Sequence, residues 1–207
     1  SPALRSTAER LAALAGVERP KLYLIADGHP RALSVGRGAG ASGIAFTQGL
    51  VTLLSPAELE GVIAHELAHA RHRDSLIQTP VVLLAGWLVE ASRIGGFLER
   101  ALLFVLGPVA ASIVQVFLSP KRELAADTRA AEVVGSPHPL ADALVRIEQA
   151  EEFVRFQASP VTEPLYIVNP FEQVGLAAMF STHPPVGERV AALRALDPDW
   201  RDRLRAA

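Results

Sequence analysis

Residues 61–72 read GVIAHELAHARH, and this stretch decides how the rest of the chain is organised. It follows Ser55-Pro56-Ala57-Glu58, a capping box with proline at the first helical position, so the spacing predicts a helix from Pro56 to about His72. On that helix His65 and His69 stand four apart and project from one face. Two imidazole nitrogens at that spacing can hold one zinc ion. Glu66 lies beside them and is poorly placed to be a third ligand. It is placed instead to accept a proton from an attacking water. Alone, a five-residue pattern with three fixed positions arises as readily by accident on a surface helix.

A second constellation changes that balance. Lys121 to Asp127 reads KRELAAD, with Glu123 and Asp127 four apart on the next strong helix. A catalytic zinc takes three protein ligands and keeps one position open, so Glu123 can be the third. Asp127, one turn on, can hold a ligand histidine by its other ring nitrogen. By themselves Glu123 and Asp127 would read as a solvated helix face; beside the histidine pair the catalytic reading wins. His72 is a rival third ligand at the helix end. His29 and His138 stand in proline-rich turns and read as surface residues. A third piece, FSTHPPVGER at 180–189, places His183 before two stiffening prolines and Arg189 at a helix start. Either can stabilise an oxyanion. The bland alternative is a turn histidine and a surface arginine.

The totals add limits. Among 207 residues half are apolar, the net charge is −2 and there are no cysteines. Nucleic acid is not indicated, and cysteine-based zinc, redox or disulfide chemistry is excluded. The chain begins at Ser1, as a processed or trimmed piece would, and shows no signal peptide. Helical periodicity covers 4–15, with Leu4, Ala8, Leu11 and Leu14 on one stripe and Gly16 as the stop. Short strands are expected at Lys21–Ala26, Ala32–Val35 and Gly43–Thr47, forming a small sheet. Further helices are expected from Ser119-Pro120 to Glu132, over 139–155, over 186–195, and over 198–205 with Asp197 as cap. Residues 157–182 give no clear pattern.

Residues 76–91 carry one charge, at Glu90, and 101–118 carry none. A span needs about 20 apolar residues, with about 17 as the lower limit. Glu123 must return to the metal that His65 and His69 bind, and two crossings achieve that. Arg71, Arg73, Lys121 and Arg122 flank the outer ends, which puts the active site in the cytoplasm. A soluble helical hairpin, buried in a core or a dimer, is the alternative.

AHELAHARHRD (64–74), SPKRELAADTRAAE (119–132) and FSTHPPVGERV (180–190), in that order, resemble the HtpX-like zinc metallopeptidases. That family is related to the CAAX prenyl proteases and to soluble minigluzincins. The resemblance implies His65, His69 and Glu123 as ligands of one zinc ion per chain, with Glu66 as general base. It implies Asp127 behind the ligands, and His183 and Arg189 acting at the transition state. It implies damaged or misassembled membrane proteins as substrates, and two membrane spans ahead of the part seen here. A departure lies at Arg31-Ala32-Leu33-Ser34, where family members carry Asn-Ala-Phe-like residues on a strand flanking the cleft.

The expectation is one α+β, mostly helical domain over 1–207. It is a zincin-type peptidase with a small sheet and an apolar, membrane-spanning hairpin inserted at about 76–118. It would hydrolyse extended polypeptide paired to the sheet edge by main-chain hydrogen bonds, at a multi-pass cell-membrane location in contact with lipid. The alternatives are a non-catalytic membrane scaffold with an incidental or inactive motif, and a soluble minigluzincin-like peptidase.

Overall fold

The computed structural model describes residues 2–36, 42–72, 120–153 and 184–199, with the single residues 84, 87 and 109. Helix α1 (Pro2–Ala15) buries Ala8, Leu11, Ala12 and Ala15. Leu14, expected on that stripe, is 55% exposed. At 3.6 residues per turn it falls about 80° away from Leu4 around the axis, whereas Ala15 stays on line. Gly16 ends the helix at φ 70°. The N–H groups of Gly16 and Val17 donate to the carbonyls of Ala13 and Ala12, so the last turn closes as a Schellman motif.

Three strands follow, β1 (Lys21–Ile25), β2 (Ala32–Gly36) and β3 (Ser42–Thr47). Their spatial order is β1-β3-β2. β1 runs parallel to β3, with Leu22 opposite Ile44, and β2 runs antiparallel to it, with Ala32 opposite Phe46. β3 takes the centre because its apolar run is buried on both faces. A short helix α2 (Gln48–Leu53) follows directly, and the Thr47 hydroxyl accepts from the N–H of Leu50. Six residues are too few to show a helical period, so this helix was not expected; Thr47 as cap was its one signal.

Helix α3 (Pro56–His72) starts where its capping box predicts. The Ser55 N–H donates to Glu58 Oε2 at 2.7 Å, and the Glu58 N–H donates back to Ser55 Oγ at 3.3 Å. Glu58 Oε1 also accepts from Arg146 Nε at 2.9 Å. Helices α4 (Pro120–Val134), α5 (His138–Phe153) and α6 (Val186–Ala195) complete the described elements. α3 is the axis of the molecule, packed against α1, α4, α5 and β2. Gly61 lets α5 come close: a Cβ there would lie 2.7 Å from the Leu140 backbone nitrogen. Leu59, Val62, Ile63 and Leu67 of α3 join Leu140, Leu144 and Ile147 of α5 in the core.

The architecture is thus mostly helical with a three-stranded sheet, in line with the α+β expectation. The hairpin over 76–118 lies outside the described residues except at Leu84, Trp87 and Val109. Those three are helical and exposed at 47%, 67% and 46%. Among the described residues no helix is long and apolar enough to cross a membrane. The helix over 198–205 also falls mostly outside them. Residues 196–199 form turns, and Asp197 Oδ2 lies 2.9 Å from His138 Nε2. His138 therefore links α5 to the end of α6. His29 is half-buried, with Nδ1 2.6 Å from Asp27 Oδ1. Neither histidine stands free on the surface as expected; each lies beside an aspartate.

Candidate metal centre and active site

α3 is packed on several sides, so its histidine face points inward. His65, Glu66 and His69 are 1%, 4% and 6% exposed. The facing helix α4 supplies Glu123 and Asp127, also buried. They sit one turn apart, and Ala126, Ala130 and Ala131 let α4 approach closely. The Nε2 atoms of His65 and His69 lie 3.1 Å apart. Glu123 Oε2 is 3.6 Å from His65 Nε2, and Oε1 is 3.3 Å from His69 Nε2. Donor atoms of these three residues all lie within 4.8 Å of one another.

The donor set fits a metal ion. His65 Nδ1 lies 2.9 Å from Asp127 Oδ1. A carboxylate at that nitrogen favours the N–H on Nδ1 and leaves Nε2 with its lone pair. Two imidazole nitrogens and a carboxylate then converge, lone pairs inward, which a cation between them satisfies. Tetrahedral zinc at ordinary Zn–N lengths sets two ligand nitrogens about 3.3 Å apart, close to what these rings show.

Arg189 lies on α6, which enters through Pro185 in extended conformation. It is fully buried. Its Nε and Nη2 donate to the two oxygens of Asp127 at 2.8 and 2.7 Å, a two-pronged charge-assisted pair. Nη1 lies 3.6 Å from Glu123 Oε2. Burial works against the charge of Asp127, but the Arg189 charge and hydrogen bonds, with His65, outweigh it and hold the carboxyl below its ordinary value. Burial likewise opposes the Arg189 charge, and Asp127, Glu123 and Glu66 together raise its pKa.

The five expected site residues His65, Glu66, His69, Glu123 and Asp127 are thus brought together. Arg189 joins them, with its guanidinium engaged by Asp127. The pairing of Arg189 with Asp127 was missed from sequence. Its signal was present: Val186, Val190 and Leu193 form the buried stripe of α6, and Arg189 lies on it. His183 is outside the described residues. His72 ends α3.

The model of "Peptidase family M48" matches residues 1–197. The "Protease HtpX homolog" of Pyrococcus abyssi (strain GE5 / Orsay) is 40% identical over 213 residues, covering 95% of this chain and 74% of that protein. The one from Acidiphilium cryptum (strain JF-5) is 42% identical over 210 residues, covering 93% and 73%. Among solved structures, the crystal structure of S. mikatae Ste24p aligns with a TM-score of 0.57 at 20% identity over 92% of this chain. The chain spans about half of that protein, 49% of its length, and the likeness is one of fold.

Proposed function

We propose, for a chain that belongs to peptidase family M48, that the metal of this metallopeptidase is one zinc ion held by His65, His69 and Glu123, and that the enzyme cuts extended polypeptide internally. The observation that carries this is the convergence of three buried donor residues on α3 and α4, with Glu66 beside them. Two imidazoles and a carboxylate form a catalytic zinc set with one position open. A zinc ion, when bound, acidifies water and polarises the scissile carbonyl.

The chain's own residues supply the rest. Glu66 takes the proton as water attacks and delivers it to the leaving amine. Asp127 fixes the ring of His65 with Nε2 inward. Arg189 holds Asp127, which makes it a positioning residue for the ligand set. His183, followed in the sequence by Pro184 and Pro185, donates to the oxyanion as it forms. Substrate main chain pairs with the outer edge of β2, the strand packed against α3.

The resemblance to HtpX-like peptidases supports a role in quality control of damaged membrane proteins, at the cell membrane with the site facing the cytoplasm. Leu84 and Trp87, each helical and exposed, are apolar side chains suited to lipid. Casein cleavage by the wild type beside Glu66→Gln tests the catalytic reading. Glu66→Gln is expected to keep its zinc and lose hydrolysis, because an amide cannot accept the proton. Cleavage at near the wild-type rate overturns the assignment of the base.

A further inference from the structure

The sheet has a second outer edge, on β1. Among the described residues β1 pairs with β3 alone, and β3 separates it from β2. A groove of about 400 Å³ runs beside it, lined by Leu4 and Arg5 of α1, Leu22, Tyr23 and Leu24 of β1, and Leu59 of α3, among others. Tyr23 and Leu24 are successive residues whose side chains point to opposite faces. Since both line the groove, the main-chain edge between them faces it.

Such an edge invites another strand, and proteins ordinarily blunt it with lysine, proline, a bulge or a covering element. Over Lys21–Ile25 there is no proline, and the one charge stands at the first residue. Tyr23, Leu24 and Ile25 are 50%, 62% and 42% exposed. Among the described residues Arg5 is the one charged residue of the lining, and Lys21 opens the strand; both are exposed.

We propose that this groove is a second polypeptide-binding site, in which an extended apolar segment of the substrate, carrying an acidic residue, adds as a strand to β1. Alternate side chains enter the groove against Leu22, Leu24 and Leu59, main-chain groups pair with the open edge, and the carboxylate meets Arg5 and Lys21. The proposal rests on the reading of the chain as a peptidase of extended polypeptide, and it names what such a substrate carries away from the cleft. Strands added at the two outer edges lie four inter-strand spacings apart, about 19 Å. One polypeptide needs at least about six extended residues to link them. Substrates long enough to reach both edges therefore have a lower KM than short ones.

The test is fluorescence anisotropy with a labelled peptide of about twelve residues, long enough for one added strand. The peptide alternates leucine and serine and ends in glutamate, or in lysine as its counterpart. It is titrated with the full chain carrying Glu66→Gln, so that binding is read apart from turnover. Leu24→Lys is expected to weaken binding at least about tenfold. Arg5→Glu is expected to weaken the glutamate peptide and favour the lysine one. Both side chains altered at the groove are exposed, so the fold is retained. Equal binding in Leu24→Lys and Arg5→Glu overturns the proposal, because it assigns the peptide to another part of the chain. It is also overturned by a dimer that Leu24→Lys dissolves, or by capture on phosphatidylglycerol vesicles that Arg5→Glu abolishes while peptide binding stays unchanged. A wild type that fails to cleave casein sinks the peptidase reading but leaves this titration as it is.

Discussion

Replacing Arg189 by methionine isolates the role given to this residue. Its guanidinium is fully buried and forks onto Asp127 through bonds of 2.8 and 2.7 Å. Methionine fills much of the same space but leaves the Asp127 carboxylate, 2% exposed, without its cation. Removing one partner of a buried pair costs about 3–5 kcal/mol, because a charge is left uncompensated. For a chain of this size each kcal/mol lowers Tm by about 2–4 °C, so a fall of roughly 6–20 °C is expected. Replacing both partners with near-isosteric neutral groups removes the stranded charge, and such replacements are often close to neutral. Asp127→Asn with Arg189→Met should therefore recover much of the loss. Differential scanning calorimetry of the wild type, both single variants and the double variant completes the cycle. A shift under about 2 °C for Arg189→Met, or a double variant at least as unstable as the two single losses combined, refutes the reasoning. In that case, reduced turnover at unchanged stability would return Arg189 to the oxyanion.

His183→Ala should lower turnover while zinc is retained; loss of zinc there, with Glu123→Ala harmless, would mean the two roles are exchanged. Burial raises the Glu58 carboxyl, but the Ser55 backbone and hydroxyl and then Arg146 outweigh it, so its folded pKa lies below the ordinary value. The stability it contributes is present above the unfolded pKa and is lost as pH falls through the folded one. Urea midpoints should accordingly drop less on acidification in Glu58→Gln than in the wild type, and parallel acid limbs would discount the cap. The unmodified chain should fractionate with membranes or detergent, and Val109→Arg should reduce its insertion, at a cost of about 2.5–3.5 kcal/mol near the bilayer centre. An aqueous monomer without detergent would rule out the membrane reading and leave the peptidase one standing.

How far these features could be read from sequence depended on whether their signals were local. The capping box at Ser55 and Glu58 placed the start of α3, because both its hydrogen bonds join residues three apart. His65 with His69, and Glu123 with Asp127, were legible as pairs because one helical turn puts each pair on one face. Their meeting across α3 and α4 rested on the resemblance and on the need for a third ligand. Strand order was not legible: nothing local to β1 says that it joins β3 in parallel while β2 takes the other edge. The Arg189–Asp127 pair spans 62 positions, and a charged residue on the stripe of Val186, Val190 and Leu193 was its one trace. Asp197 read as a helix cap because Pro198 follows it, yet it faces His138, 59 positions away. In each of these cases tertiary packing settled a choice that local chemistry left open.

The most direct test of the account is the zinc bound per chain, measured by mass spectrometry after dialysis, for the wild type, Glu123→Ala and His72→Ala. One equivalent is expected in the wild type and in His72→Ala, with a strong loss in Glu123→Ala. Zinc kept by Glu123→Ala and lost by His72→Ala would contradict it.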